Sequence, residues 1–209
     1  MSGVRLRFAL ILMFYAVVVR LTPYLLPLVG VDSLQSGSFY PWNFSPLMAI
    51  CLFGGATFAS RSAAMAVPLG ALLLSDLAMW PLMGSAFAFY PNQPVVYASF
   101  ALGVAVGFAV RNRSGLARVA VGGASAELLF FLTTNFGVWW FARGTVGSAY
   151  TANLDGLLSC YIAALPFLAR SLMSTYMYSG LLFGAWALVC HRVAERERSK
   201  VVPQSSSIR

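Results

Sequence analysis

Residues 117–141, ARVAVGGASAELLFFLTTNFGVWWF, decide the fold class, because 25 consecutive residues carry only two ionisable side chains, Arg118 near one end and Glu127. An apolar run of about 20 residues is what a helix needs to cross the ~30 Å hydrocarbon core of a bilayer. Working outward from this stretch, further apolar runs fall at about 8–29, 46–60, 63–83, 95–110 and 172–191, which makes six candidate helices, the second and fourth of them short. A seventh stretch, LDGLLSCYIAALPFLA at 154–169, is too short to cross and meets Pro166, so it reads as a re-entrant or interfacial helix in the last outward loop. The first run follows Arg5 and Arg7 like a signal peptide, yet it continues past Arg20 into TPYLLPLVG without a small-residue cleavage site, and it reads as an uncleaved first helix. The expected architecture is all-α: a single six-helix membrane domain over residues 1–191, then a cytoplasmic tail over 192–209.

The composition agrees. Of 209 residues, 59% are hydrophobic and 10% charged, and the mean hydropathy is +0.77. Soluble domains carry about 25% charged residues. A water-soluble enzyme, a disordered tail and a disulfide-stapled secreted module are all excluded. The net charge of +8, from 14 basic and 6 acidic residues, would suggest nucleic acid in a soluble chain. Its placement argues otherwise. One set of helix flanks holds eleven basic residues: Arg5, Arg7, Arg61, Arg111, Arg113, Arg118, Arg192, Arg196, Arg198, Lys200 and Arg209. The opposite loops, 30–45, 84–94 and 142–171, hold only Arg143 and Arg170. The positive-inside rule then puts both termini in the cytoplasm of a bacterial inner membrane, with the basic rim against anionic lipid and no role in nucleic-acid binding. RVAERERSK at 192–200 reads as a helix end running into solvent, and VVPQSSSIR as a disordered tail.

Three charges fall inside the apolar runs: Arg20, Asp76 and Glu127. Insertion scales set at least ~2.5–3.5 kcal/mol against each, so each is a candidate functional residue. At ~1.5 Å per residue, Arg20 and Asp76 stand at similar heights, about 20 Å from the cytoplasmic ends of the first and third helices. They form either an ion pair that locks those helices or part of a ligand site. Glu127 begins a polar stripe, because Glu127, Phe131, Thr134, Asn135 and Trp139 recur at i, i+4, i+7, i+8 and i+12 on one helix face. Such a face suits a planar or hydrogen-bonding solute, with rings stacking and Asn135 setting orientation. Two other readings of Glu127 stand beside this one: a protonated carboxyl bonded to a neighbouring helix, and the proton carrier of a coupled transporter. The outward loops FYPWNFSP (39–46), FAFYPNQPVVY (87–97) and GTVGSAYTANLDG (144–156) are aromatic and poor in charge. Tyr40, Trp42, Tyr90 and Tyr150, with Asn43, Asn92 and Asn153, suggest a capped pocket open to the outside, the last loop serving as a lid.

Small residues mark close helix contacts. Ala101, Ala105 and Ala109, interleaved with Gly103 and Gly107, and the set Ala56, Ser60 and Ala64 have the small-xxx-small spacing that lets backbones approach, within the bundle or against a partner. Cys51, Cys160 and Cys190 are scattered and read as packing residues, and His191 is structural or interfacial, so neither a metal nor a cofactor is expected. No phosphate loop, HExxH, nucleophile elbow or Ser-His-Asp arrangement occurs, and no enzymatic activity is expected.

NFSPLMAICLFGGATF (43–58), PLGALLLSDL (68–77), YASFALG (97–103), LLFFLTTNFGVWW (128–140), GLLSCYIAALPFLARSL (156–172) and LLFG (181–184) together resemble an uncharacterised bacterial six-helix family of putative transport proteins. That family is similar in size and span count to the substrate-binding S components of energy-coupling factor vitamin transporters. The resemblance implies a bundle that captures a vitamin-like solute near its outer face, energised by a separate ATPase-driven coupling module. It carries Asn43, Asp76, Asn135 and Tyr161 as site residues. S components commonly dock their coupling subunit through an AxxxA surface on the first helix, whereas FALILMFYAVVVRL (8–21) places Ala9 and Ala16 seven apart. The expected function is uptake of a small vitamin-like or aromatic solute, with Asn43, Asp76, Asn135, Arg20, Glu127, Trp139 and Tyr161 as the binding residues. The rival is a non-transporting structural, assembly or sensor subunit of the membrane.

Overall fold

The computed structural model describes residues 2–31, 44–111, 115–143, 145 and 147–201, and every regular element among them is helical. The order is α1 (Ser2–Leu25), a 3-10 turn (Leu26–Val29), α2 (Leu47–Thr57), α3 (Arg61–Met83), α4 (Ser85–Ala88), α5 (Gln93–Val110), α6 (Leu116–Ala142) and α7 (Leu154–Val201). Five spans are long and apolar enough to cross a bilayer: Arg7–Val29, Arg61–Met83, Ser85–Val110, Leu116–Ala142 and Leu154–Arg196. Local chemistry sets their ends. Gly30 takes the left-handed conformation at φ 81° after the 3-10 turn, and the Ser60 side chain caps α3 by accepting from the Ala63 N–H at 3.2 Å.

The structure corrects the expected short helix at 154–169. Leu154–Val201 is one continuous helix of 48 residues, with Pro166 inside it. Proline removes a single N–H from the helix ladder. Within a long apolar helix that loss is tolerated, because neighbouring helices hold the segment in place. The same helix runs on through Val201, so residues 192–201 prolong α7, and only 202–209 of the expected tail lie outside the described residues.

At the centre lies α2. With 11 residues it is about 16.5 Å long, half the span of its neighbours. Leu47 through Ala56 are all buried, so α2 has no outward face. It runs parallel to α5, with Cys51 beside Gly103 and Gly55 beside Gly107. It runs antiparallel to α6, with Leu52 against Gly122 and Gly123. Its aromatic side, Phe53, meets Phe8 of α1 and Phe183 and Trp186 of α7, at ring-centroid distances of 5.5, 5.2 and 6.0 Å. Arg111 closes its C-terminal end by donating to the Gly55 carbonyl at 2.9 Å and the Phe58 carbonyl at 2.6 Å. These acceptors are among the last carbonyls of a helix, which lack intrahelical partners.

Of the small residues on α5, Gly103 and Gly107 face α2, whereas Ala105 and Ala109 are exposed and Ala101 is half-buried. The glycine pair, not the alanine stripe, makes the internal contact. A Cβ on Gly107 would lie 2.5 Å from the Leu52 carbonyl oxygen and 2.9 Å from Gly55 Cα, both backbone atoms that cannot rotate away. A Cβ on Gly180 or Gly184 of α7 would meet nothing within 4 Å outside its own helix turn. Opposite signs are therefore expected. Gly107→Ala destabilises the protein by about 1–3 kcal/mol through overpacking. Gly180→Ala and Gly184→Ala are neutral or stabilise it by up to ~1 kcal/mol through helix propensity. Thermal denaturation of the three purified variants checks this, and equal shifts in all three would sink the close-contact account.

Candidate functional site

A cavity of about 360 Å³ opens between α1, the start of α2, α5, α6 and α7. Val19, Arg20, Pro23 and Tyr24 of α1 form one wall, and Phe44, Ser45, Leu47 and Met48 form the wall where the short α2 begins. Tyr90, Val96 and Phe100 close a third side, and Glu127, Phe130 and Ser171 form the floor. The cavity thus lies beside the N-terminal end of the short α2. A smaller cavity of about 110 Å³ lies between α6 and α7, lined by Phe131, Thr134, Asn135, Ala164, Phe167 and Leu168. Glu127, Phe130 and Ser171 line both.

Arg20 and Asp76 do meet, as an ion pair between α1 and α3. The Arg20 guanidinium donates to Asp76 Oδ1. The other oxygen, Oδ2, accepts from Gln93 Nε2 and from the Tyr97 hydroxyl, both at 2.7 Å, and Gln93 also donates to the Ala88 carbonyl at 2.9 Å. Asp76 is 1% exposed and stands behind Arg20, outside the cavity wall, while the Arg20 side chain keeps 21% exposure. A buried carboxylate with three donors is compensated in charge and in hydrogen bonding. Asp76 is thus the anchor of the arginine, and Arg20 is the member of the pair that faces the cavity.

Glu127 is differently placed. It is 4% exposed, and its Oε1 accepts from the Thr175 hydroxyl of α7 at 2.5 Å. Among the described residues no cation pairs with it. The stripe expected on α6 does face inward: Glu127, Phe131, Thr134 and Trp139 are buried, and Asn135 is half-buried. Its members have separate tasks. Asn135 Nδ2 donates to the Phe131 carbonyl of its own helix at 2.8 Å, and the residue lines the smaller cavity. Trp139 lies beyond both cavities, where Nε1 donates to the Thr151 carbonyl at 2.9 Å and ties the 145–153 connection to α6. The Tyr161 hydroxyl donates to the Leu132 carbonyl at 2.8 Å, and its ring lies 5.5 Å from that of Phe131. Asn43, Tyr40 and Trp42 lie outside the described residues. Asn153 caps α7 by accepting from the Gly156 N–H at 3.0 Å, and Asn92 is buried against α6, donating to the Thr134 carbonyl at 3.1 Å. Among the described residues no three His, Cys, Asp or Glu side chains converge as a metal site.

Four residues of this site escaped the sequence reading. Gln93 and Tyr97 lie four apart at the start of α5, and Ser171 and Thr175 lie four apart in the middle of α7. Each pair puts two polar groups on one face of an apolar helix. That spacing was legible, but in the absence of a charge it carried little weight.

Comparison with known proteins adds one fact about ancestry. The chain belongs to DUF6580, a family of unknown function. The match runs over residues 2–200, nearly the whole chain. No curated protein and no solved structure matches it.

The asymmetry of the ion pair makes a testable difference. Asp76→Ala leaves Arg20 uncompensated and destabilises by about 3–5 kcal/mol, whereas replacing both partners by apolar residues, Arg20→Met with Asp76→Leu, costs much less. Exchanging the charges does not restore stability, because an arginine at 76 would confront the donors Gln93 and Tyr97. Denaturation midpoints of the single, double and exchanged variants check this, and full restoration by the exchange would show that Gln93 and Tyr97 contribute little.

Proposed function

We propose that this protein is a multi-pass component of the bacterial cytoplasmic membrane that binds a small, vitamin-like or aromatic solute in the 360 Å³ cavity for uptake. The cavity is the observation that carries the reading. Its volume lies in the range of small-molecule sites, and its wall has their chemistry: mostly apolar and aromatic, with a few fixed polar groups. The membrane setting rests on the five apolar spans and on the outer surface. Leu10, Ile11, Phe14, Leu73, Leu128 and Leu188 are among many large apolar side chains exposed on the outside of the bundle. Exposed apolar side chains in this number are what lipid or a partner would cover. The cavity lies at the end of the helices that carries the connections poor in Arg and Lys. By the positive-inside rule that end faces outward and both termini are cytoplasmic.

Release inward then proceeds by rocking of helices around the cavity. The sequence has no nucleotide-binding motif, so the energy comes from a partner, which in the resemblance to S components is an ATPase-driven coupling module. In α1 the small residues Ala9 and Ala16, with Leu12 between them, are buried inside the bundle. A coupling partner therefore engages another surface. The rival, a non-transporting structural or sensor subunit, draws support from the mutual satisfaction of Arg20, Asp76, Gln93 and Tyr97, which needs no ligand.

Ser171 separates the two readings because it lines both cavities and, among the described residues, its side chain makes no hydrogen bond. A thermal-shift screen of the purified protein against vitamins and aromatic metabolites is expected to find a stabilising solute. Ser171→Trp, which fills the space, abolishes that shift and leaves the unliganded protein folded. A broad panel without any shift would favour the structural subunit.

A further inference from the structure

The charges around the cavities can be balanced one by one. Arg20 is offset by the full charge of Asp76, whose second oxygen is already occupied by Gln93 and Tyr97. The first turn of α2 contributes a partial positive charge of about one half, confined to that turn. Glu127 contributes a carboxyl group whose only bonded partner among the described residues is the Thr175 hydroxyl, and it lines both cavities. The remaining lining residues are neutral. With Glu127 ionised, the local balance is negative, and the deficit sits at the junction of the two spaces.

A carboxylate buried at 4% exposure without a cation is an uncompensated charge in an apolar setting. Two things relieve it, a proton or a cationic ligand. The surroundings favour the ligand. Phe130 lines both cavities beside Glu127, Phe100 lies 4.8 Å from it centroid to centroid, and Phe131 and Phe167 border the smaller space. Ring faces around a carboxylate are the chemistry that holds organic cations, through cation–π attraction and a counter-charge.

We infer that the solute site takes an organic cation, a protonated amine or comparable nitrogen cation on a planar or apolar body, with Glu127 as its counter-ion and Phe130 against its charged end. The inference rests on the solute-binding reading above and narrows its ligand class. The cationic group sits at the Glu127 junction, and the body extends toward Tyr24 and Tyr90 in the larger cavity.

Matched ligand trios test it: for each of several ring bodies (phenyl, indolyl and pyrimidinyl), the ethylamine, the corresponding alcohol and the corresponding acetate. Binding to the full chain in detergent is measured by calorimetry or intrinsic fluorescence. The expected result is that within at least one trio the ammonium member binds at least tenfold more tightly than the alcohol and the carboxylate, a difference of about 1.4 kcal/mol. Glu127→Gln, which preserves size and a partner for Thr175, removes that preference. A preference for the carboxylate members, or ammonium binding unchanged in Glu127→Gln, would overturn the charge assignment and leave the solute pocket standing. Binding by no member of any trio would overturn the pocket reading itself. The selectivity within a trio is read on the unaltered protein, so the conclusion does not hang on how the variant folds.

Discussion

Gly55 of α2 and Gly107 of α5 touch backbone to backbone, and the rest of the bundle is arranged around that contact. An 11-residue helix cannot reach from one side of an apolar slab to the other. It has to be enclosed by longer helices that supply its packing on every side. Such enclosure requires short axial distances, which small residues permit. On the α6 side, Gly122 and Gly123 make room for side chains, with Leu52 of α2 packing against both. The cavity lies at the N-terminal end of this short helix, where Phe44, Ser45, Leu47 and Met48 line it.

The two sets of buried charge illustrate opposite solutions to one problem. Asp76 on α3 accepts from three donors on two other helices, Arg20 on α1 and Gln93 and Tyr97 on α5, and it serves to fix helices and aim the arginine. Glu127 has one neutral donor and an open side toward two cavities. A saturated group has little left to offer a ligand, and an unsaturated one has much. The difference lies in partners, not in residue type or depth.

Much of the plan was legible from residue order. The apolar runs placed all but the last helix close to their observed bounds, the inward stripe on α6 was visible in its spacing from Glu127 to Trp139, and equal heights suggested that Arg20 would meet Asp76. Where the reading missed, a local rule had been applied without its surroundings. Pro166 was taken as a stop, although α7 continues past it for 35 residues to Val201. The small residues of α5 left packing within the bundle and against a partner both open, and only the structure showed that the glycines, not the alanines, meet α2.

The sequence by itself determined the apolar helices, their alternation of direction and the identity of the three charges they carry, because these depend on composition and period along one chain. Only the tertiary structure decided which charge was compensated. Compensation depends on distances between residues such as Asp76 and Gln93, or Glu127 and Thr175, brought together by helices from separate parts of the chain. Hydrogen bonds act over about 3 Å, and no periodicity within a single helix specifies what will stand that close to it.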